Sequence, residues 1–240
     1  MRLLAWITTL AASLAVLPPA EAASLRVSPV LLDMKAPQAA SSISVWNDAK
    51  EPINVQVRVF RWSQKDGADV YTPATDVVAS PPITTLKPGG ENIVRIVRTT
   101  KQAIQSEESY RLIVDELPDP ARRQTGTITL VLRHSIPVFF SRPEPAAATP
   151  EWKVQQKPGG FQVTVTNSGA KRLKISNLSL AGGKTPLAKR DGLVGYALGK
   201  STASWFVPAT PGGRLAGRSV TISADSEAGR FDATASVSGG

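Results

Sequence analysis

Apolar and polar residues alternate with period two along most of this chain, and that period predicts strands. The plainest case is INVQVRVFRW, residues 53–62. Ile53, Val55, Val57 and Val59 fall on one face, and Asn54, Gln56 and Arg58 on the other. Residues 42–46, 92–97 and 109–117 follow the same rule. The longest run is TITLVLRHSIPVFF, residues 127–140. Ile128, Leu130 and Leu132 form a row there, interleaved with Thr129, Val131 and Arg133. Such a row fits a buried strand. It equally fits an edge strand that offers its backbone and an apolar ridge to a partner. Residues 25–34 also read as a strand, interrupted by Pro29. Proline cannot donate to a ladder, so this strand sits at an edge or switches sheets there.

Turn residues punctuate the strands at sandwich-like intervals: Asn47-Asp48, Pro88-Gly89-Gly90, Pro158-Gly159-Gly160 and Asn167-Ser168-Gly169. Helical periodicity is almost absent. The stretch SRPEPAAATPEW, residues 141–152, is rich in Pro and Ala with little apolar patterning and reads as a linker. Strand signals resume beyond it. The predicted organisation is a leader over 1–22, a first domain over 23–143, a linker over 144–152 and a second β-sandwich over 153–240.

The leader rests on Met1-Arg2, the apolar LLAWITTLAASLAVL and the small-residue pattern Ala20-Glu21-Ala22, which together read as a secretory signal. No later stretch approaches about 18 apolar residues, so export without membrane insertion is expected. There is no cysteine among the 240 residues, so hydrophobic cores carry the stability without disulfides. The net charge of +9 is scattered over Arg58, Arg61, Arg95, Arg98, Arg122, Arg123, Lys171, Arg172 and Lys174. Nucleic acid is the usual partner of a basic chain, but export argues against it. A basic cleft for an anionic peptide end fits better.

Catalytic signatures are missing. His134 is the one histidine, so an HExxH zinc pair cannot form, and no G-x-S-x-G elbow supports a triad around it. Asp115 and Glu116 are adjacent on a strand, and their side chains diverge. The Gly-Gly pairs lack the following Lys-Ser/Thr of a phosphate loop. The expectation is a binding protein with no cofactor and no metal, not an enzyme.

Three segments carry a family resemblance: Glu51-Pro52 leading into INVQVRVFRW, SYRLIVDELP (residues 109–118), and TITLVLRHSIPVFFSRP (residues 127–143). They resemble the B, F and G strands of the periplasmic chaperones of the chaperone–usher pilus assembly pathway, most closely its archaic branch. The resemblance implies an all-β chain of two immunoglobulin-like β-sandwich domains in an L shape. It implies a periplasmic chaperone that binds, folds and caps pilus subunits by donor-strand complementation and passes them to an outer-membrane usher, with no cofactor. Ile128, Leu130 and Leu132 would fill the subunit's groove. Three buried aliphatics contribute roughly 5–9 kcal/mol before ordering costs.

The better-known branch anchors the subunit's terminal carboxylate with a first-strand arginine and a late G-strand lysine. Those places are held here by Ser28-Pro29 and Pro137. The resemblance therefore places the anchor elsewhere, and the first choice is Arg111, a cation flanked by Tyr110, Leu112 and Ile113 in SYRLIVDELP, with Arg95 and Arg133 as second choices. It also implies an interdomain ion-pair network of Glu116, Arg142 and Asp225. The competing readings are a secreted immunoglobulin-like structural or adhesive protein and a carbohydrate-binding sandwich. For the latter, Trp46, Trp62, Trp152 and Trp205 are widely spaced.

Overall fold

The computed structural model describes residues 25–118, 131–144, 146–213, 215, 217 and 219–238. Among them there is no helix, and the chain forms seventeen strands. The first ten build one sandwich. Its first sheet has the order β1 (Leu25–Ser28), β3 (Ala40–Asn47), β8 (Glu91–Arg98), β6 (Val77–Ser80). The second runs β2 (Leu32–Lys35), β10 (Arg133–Ser141), β9 (Glu108–Leu117), β4 (Ile53–Lys65), β5 (Ala68–Pro73), with β7 (Ile83–Leu86) also on β4.

Alternation explains the core between these sheets. Ile53, Val55 and Val57 of β4, Tyr110, Leu112 and Val114 of β9, and Ile136, Val138 and Phe140 of β10 point inward against Ile43, Val45, Val94 and Ile96. Pro29 marks the crossing foreseen from its missing N–H. β1 pairs with β3 in one sheet, and β2 pairs in parallel with β10 in the other. The crossing leaves Val30 67% exposed.

The second domain holds β11 (Pro150–Lys157), β12 (Gly160–Asn167), β13 (Leu173–Gly182), β14 (Thr185–Ala197), β15 (Ser201–Pro208), β16 (Ser219–Ser226) and β17 (Gly229–Ser238). Their order is β14-β13-β16-β17-β11-β12-β15, closed around a separate core that includes Val163, Val165, Ile175, Leu178, Leu187 and Ile222. β11 starts at Pro150, inside the stretch expected to be linker. The linker is held rather than free. Thr149 N–H donates to Asn167 Oδ1, and Ser168 N–H donates to the Thr149 carbonyl. Gly169 permits this approach, because a Cβ there would lie 2.1 Å from the Ala147 carbonyl oxygen.

Candidate functional site

The outer face of the second sheet is where the two domains meet. Residues of opposite parity to the core project there: Trp62 from β4, Arg111 from β9, Pro137 and Phe139 from β10. Trp62 and Phe139 are buried with Tyr196 and Leu198 of the second domain in a cluster of their own. Tyr196 meets Trp62 edge-on at 5.5 Å between centroids. The β4–β5 hairpin reaches across beside them. Gln64 Nε2 donates to the Tyr196 carbonyl, Leu198 N–H donates to Gln64 Oε1, and Ser204 N–H donates to the Gly67 carbonyl.

A buried ion cluster completes the joint. The Arg172 side chain is 0% exposed and bonds to Glu107 at 2.5 Å, to Asp33 at 2.8 Å and to Glu227 at 2.8 Å. Asp33 and Glu107 come from the first domain, and Glu227 from the second. Burial opposes the Arg172 charge, but the hydrogen bond and charges of these carboxylates outweigh it and hold its pKa above the ordinary value. Burial pushes the Glu107 carboxyl up, against the pull of Arg172.

This cluster replaces the expected one. Arg142 is exposed, and its Nε donates to the Glu144 carbonyl. Asp225 accepts from Asn177 within its own domain. Glu116 accepts from the Leu132 N–H within the first domain. A motif match fixes a place on a strand, but only the packing of the domains decides which carboxylates face across the joint. The signal that was available is the charge at Arg172, three residues after a tight Asn-Ser-Gly turn and so at the domain's end.

The arginines proposed as anchors separate clearly. Arg95 is exposed on β8 in the first sheet, opposite Ser42 and Ser80, away from the joint. Arg133 is committed to Asp115, which also binds Arg58, both at 2.5 Å. Burial raises the Asp115 pKa, but hydrogen bonds from Arg133 and Arg58 more than offset it and hold the carboxyl below the usual aspartate value. Arg111 is the one of the three that enters the joint. Its guanidinium carbon lies 3.9 Å from the Trp62 ring centroid and 5.8 Å from that of Tyr196. Its Nε is buried without a hydrogen-bond partner among the described residues. It lines a cleft of about 410 Å³ with Asp69, Tyr196, Leu193 and Trp205. In register it stands opposite Pro137, the position where the resemblance expects a lysine.

The other expectation concerns β10. Its inner side pairs with β9 from Arg133 to Phe140, whereas β2 covers its outer side only from Val138 to Ser141. Among the described residues, Arg133 to Pro137 therefore present an unpaired edge. Val30, Leu31 and Val131 stand exposed in this domain. Ile128 and Leu130 lie outside the described residues, as do residues 1–22. Leu132 is half-buried and packs on this domain's own core, continuing the inward parity of Ile136 and Val138. At Leu132 the side chain thus turns toward the first domain's own core. His134 is structural, with Nε2 3.0 Å from the Leu25 carbonyl. Among the described residues no three His, Asp or Glu side chains are grouped to hold a metal, and no helix is long and apolar enough to cross a membrane.

The model for the pili and flagellar-assembly chaperone, PapD N-terminal domain, matches residues 24–146. No curated protein matches the sequence. Among solved structures, a chain of the CsuC–CsuE chaperone–tip adhesion subunit pre-assembly complex, from archaic chaperone-usher Csu pili of Acinetobacter baumannii, is similar at TM-score 0.69. It is 23% identical, over 90% of this chain and 100% of that one. The E. coli chaperone DraB is similar at TM-score 0.59 and 22% identity, over 88% of this chain and 95% of that one. A chain of the Salmonella enterica SafA pilin–SafB chaperone complex gives 0.60 and 17%, over 89% and 97%. At these identities the likeness speaks for the fold.

Proposed function

The chain belongs to the pili and flagellar-assembly chaperone family, and on that footing we propose that it lends the edge of β10 and the segment before it to pilus subunits. It binds, folds and caps them and passes them to an outer-membrane usher. The leader pattern over residues 1–22 supports a periplasmic site of action, and the likeness to the CsuC–CsuE complex supports the archaic branch. The carrying observation is the open outer edge from Arg133 to Pro137, beside a sheet already satisfied on its inner side. An unpaired ladder is a template for a borrowed strand.

The inward parity of Leu132 fits this use. A partner sandwich that continues the second sheet past β10 also continues its inner face. The same row of Ile128, Leu130 and Leu132 then passes from one interior into the other. Arg111 receives the subunit's terminal carboxylate. An arginine stacked on an aromatic ring and lining the cleft offers a planar cation for a two-bond grip.

The test is copurification from the periplasm, with wild type, Leu130→Arg and Arg111→Ala carrying a tag. Wild type is expected to bring down a β-rich subunit in stoichiometric amount, and both folded variants to lose it. Retention by Leu130→Arg overturns the donor strand; retention by Arg111→Ala alone overturns the anchor.

A further inference from the structure

Asp69 lines the same cleft as Arg111, and among the described residues these two are the only charged ones in its lining. Asp69 is not free to turn away. Its Oδ2 accepts from the Tyr71 hydroxyl at 3.0 Å, and its Oδ1 accepts from Gln64 Nε2 at 2.9 Å. Gln64 is itself pinned, because its amide clasps the Tyr196 carbonyl and the Leu198 N–H of the second domain. Trp62, under Arg111, is tilted against Tyr71 at 6.4 Å between ring centroids, which places the phenol that holds Asp69 beside the ring that supports the cation. The remaining walls mix apolar Leu193, Val194, Ala203 and Trp205 with polar Ser204 and Tyr196.

We propose that Asp69 is the fixed counter-charge of this cleft and a specificity-determining residue: it admits a chain end bearing one carboxylate and an apolar last side chain, and refuses an acidic last residue. The inference rests on the reading of Arg111 as carboxylate anchor. One cation satisfies one carboxylate. A second negative charge brought in on the terminal side chain finds no second cation in the lining and meets Asp69 instead, which is repulsive. Leu193 and Trp205 in the lining give a leucine-like side chain contact without that cost. Asp69 lies near water, so the repulsion is screened. The expected discrimination is about three- to fivefold, in the range of exposed charge pairs, and shrinks with added salt.

The experiment uses the full chain and three synthetic probes. Each is an N-acetylated decapeptide of alternating threonine and valine, ending in leucine as the free acid, in leucine amide, or in aspartate as the free acid. Tryptophan fluorescence reports binding, because Trp62 lies beneath Arg111 and Trp205 lines the cleft. Wild type is expected to favour the leucine acid over both others. Asp69→Asn is expected to keep the preference for acid over amide and to reduce the preference for leucine over aspartate by about three- to fivefold. Asp69→Ser serves as the second variant, with circular dichroism to confirm the fold. Undiminished refusal of the aspartate end by both folded variants overturns the role of Asp69 and leaves the anchor standing. Equal binding of acid and amide by wild type overturns the anchor, and this inference with it.

Discussion

The guanidinium carbon of Arg172, in the second domain, lies 3.7 Å from the ring centroid of Phe139, in the first. Phe139 in turn packs on Trp62 at 5.9 Å, and Trp62 carries Arg111 on its ring. The joint is therefore an aromatic cluster held between two arginines. One is saturated by carboxylates, and the other faces a cleft. The saturated one ties the first domain to the second.

Removing the lock leaves Glu107 buried without its charge partner. Arg172→Ala is expected to cost about 3–5 kcal/mol of stability, the usual loss when one member of a buried pair is deleted. Thermal denaturation checks this. Arg172→Met with Glu107→Gln removes both charges and should recover part of the loss, so the two changes are non-additive.

Asp115 sets an acid limb. Its folded-state pKa lies below the ordinary aspartate value of 3.8. The unfolded chain therefore binds the proton more readily, and the stability from this group is present above about pH 4 and lost as pH falls through the lower folded value. Asp115→Asn should flatten stability against pH in that window in urea titrations. A limb of unchanged steepness would exclude Asp115 as its source.

Gly67 is needed at the hairpin tip for two reasons. Its φ is +81°, and a Cβ there would lie 2.9 Å from Ser204 Oγ. Gly67→Ala is expected to cost about 1 kcal/mol or slightly more. It should also loosen the clasp between domains, seen as a larger radius of gyration by small-angle scattering. Ser204→Gly in the same chain should relieve the contact but not the backbone strain.

Asn167 is fully buried. Its Nδ2 donates to the carbonyls of Lys171, Ala197 and Leu198, and its Oδ1 accepts from Thr149 and Gly169. Asn167→Ala strands several buried backbone groups and is expected to cost about 2–4 kcal/mol, at the upper end for a lost polar centre. Asn47 has the matching place in the first domain, donating to Glu51 and Leu86. Equilibrium unfolding of the two variants compares the domains directly.

Much of this was legible in the chain. The alternation at Ile53, Val55 and Val57 placed those residues in the core, where they are buried. Pro29 marked the sheet switch. Arg111, flanked by Tyr110, Leu112 and Ile113, stood out as a cation inside an apolar strand. The ion-pair network was not legible, and neither was the clasp of Gln64 and Gly67. Those contacts link residues 55 or more positions apart, up to 139 for Asp33 with Arg172.

The division has a physical cause. The period of a strand assigns each side chain to one of two faces, and turn residues set where strands end, so the sequence alone determined the inner rows of strands such as β4, β8 and β9. It could not state what covers an outer face. Trp62 and Phe139 lie on the face opposite the core and would be exposed in an isolated first domain. They are buried because Tyr196 and Leu198 arrive from the second. Burial of that face, the pairing of Arg172 with Glu107, and the meeting of Arg111 with Asp69 in one cleft all follow from how two folded domains dock, and tertiary structure alone decides that.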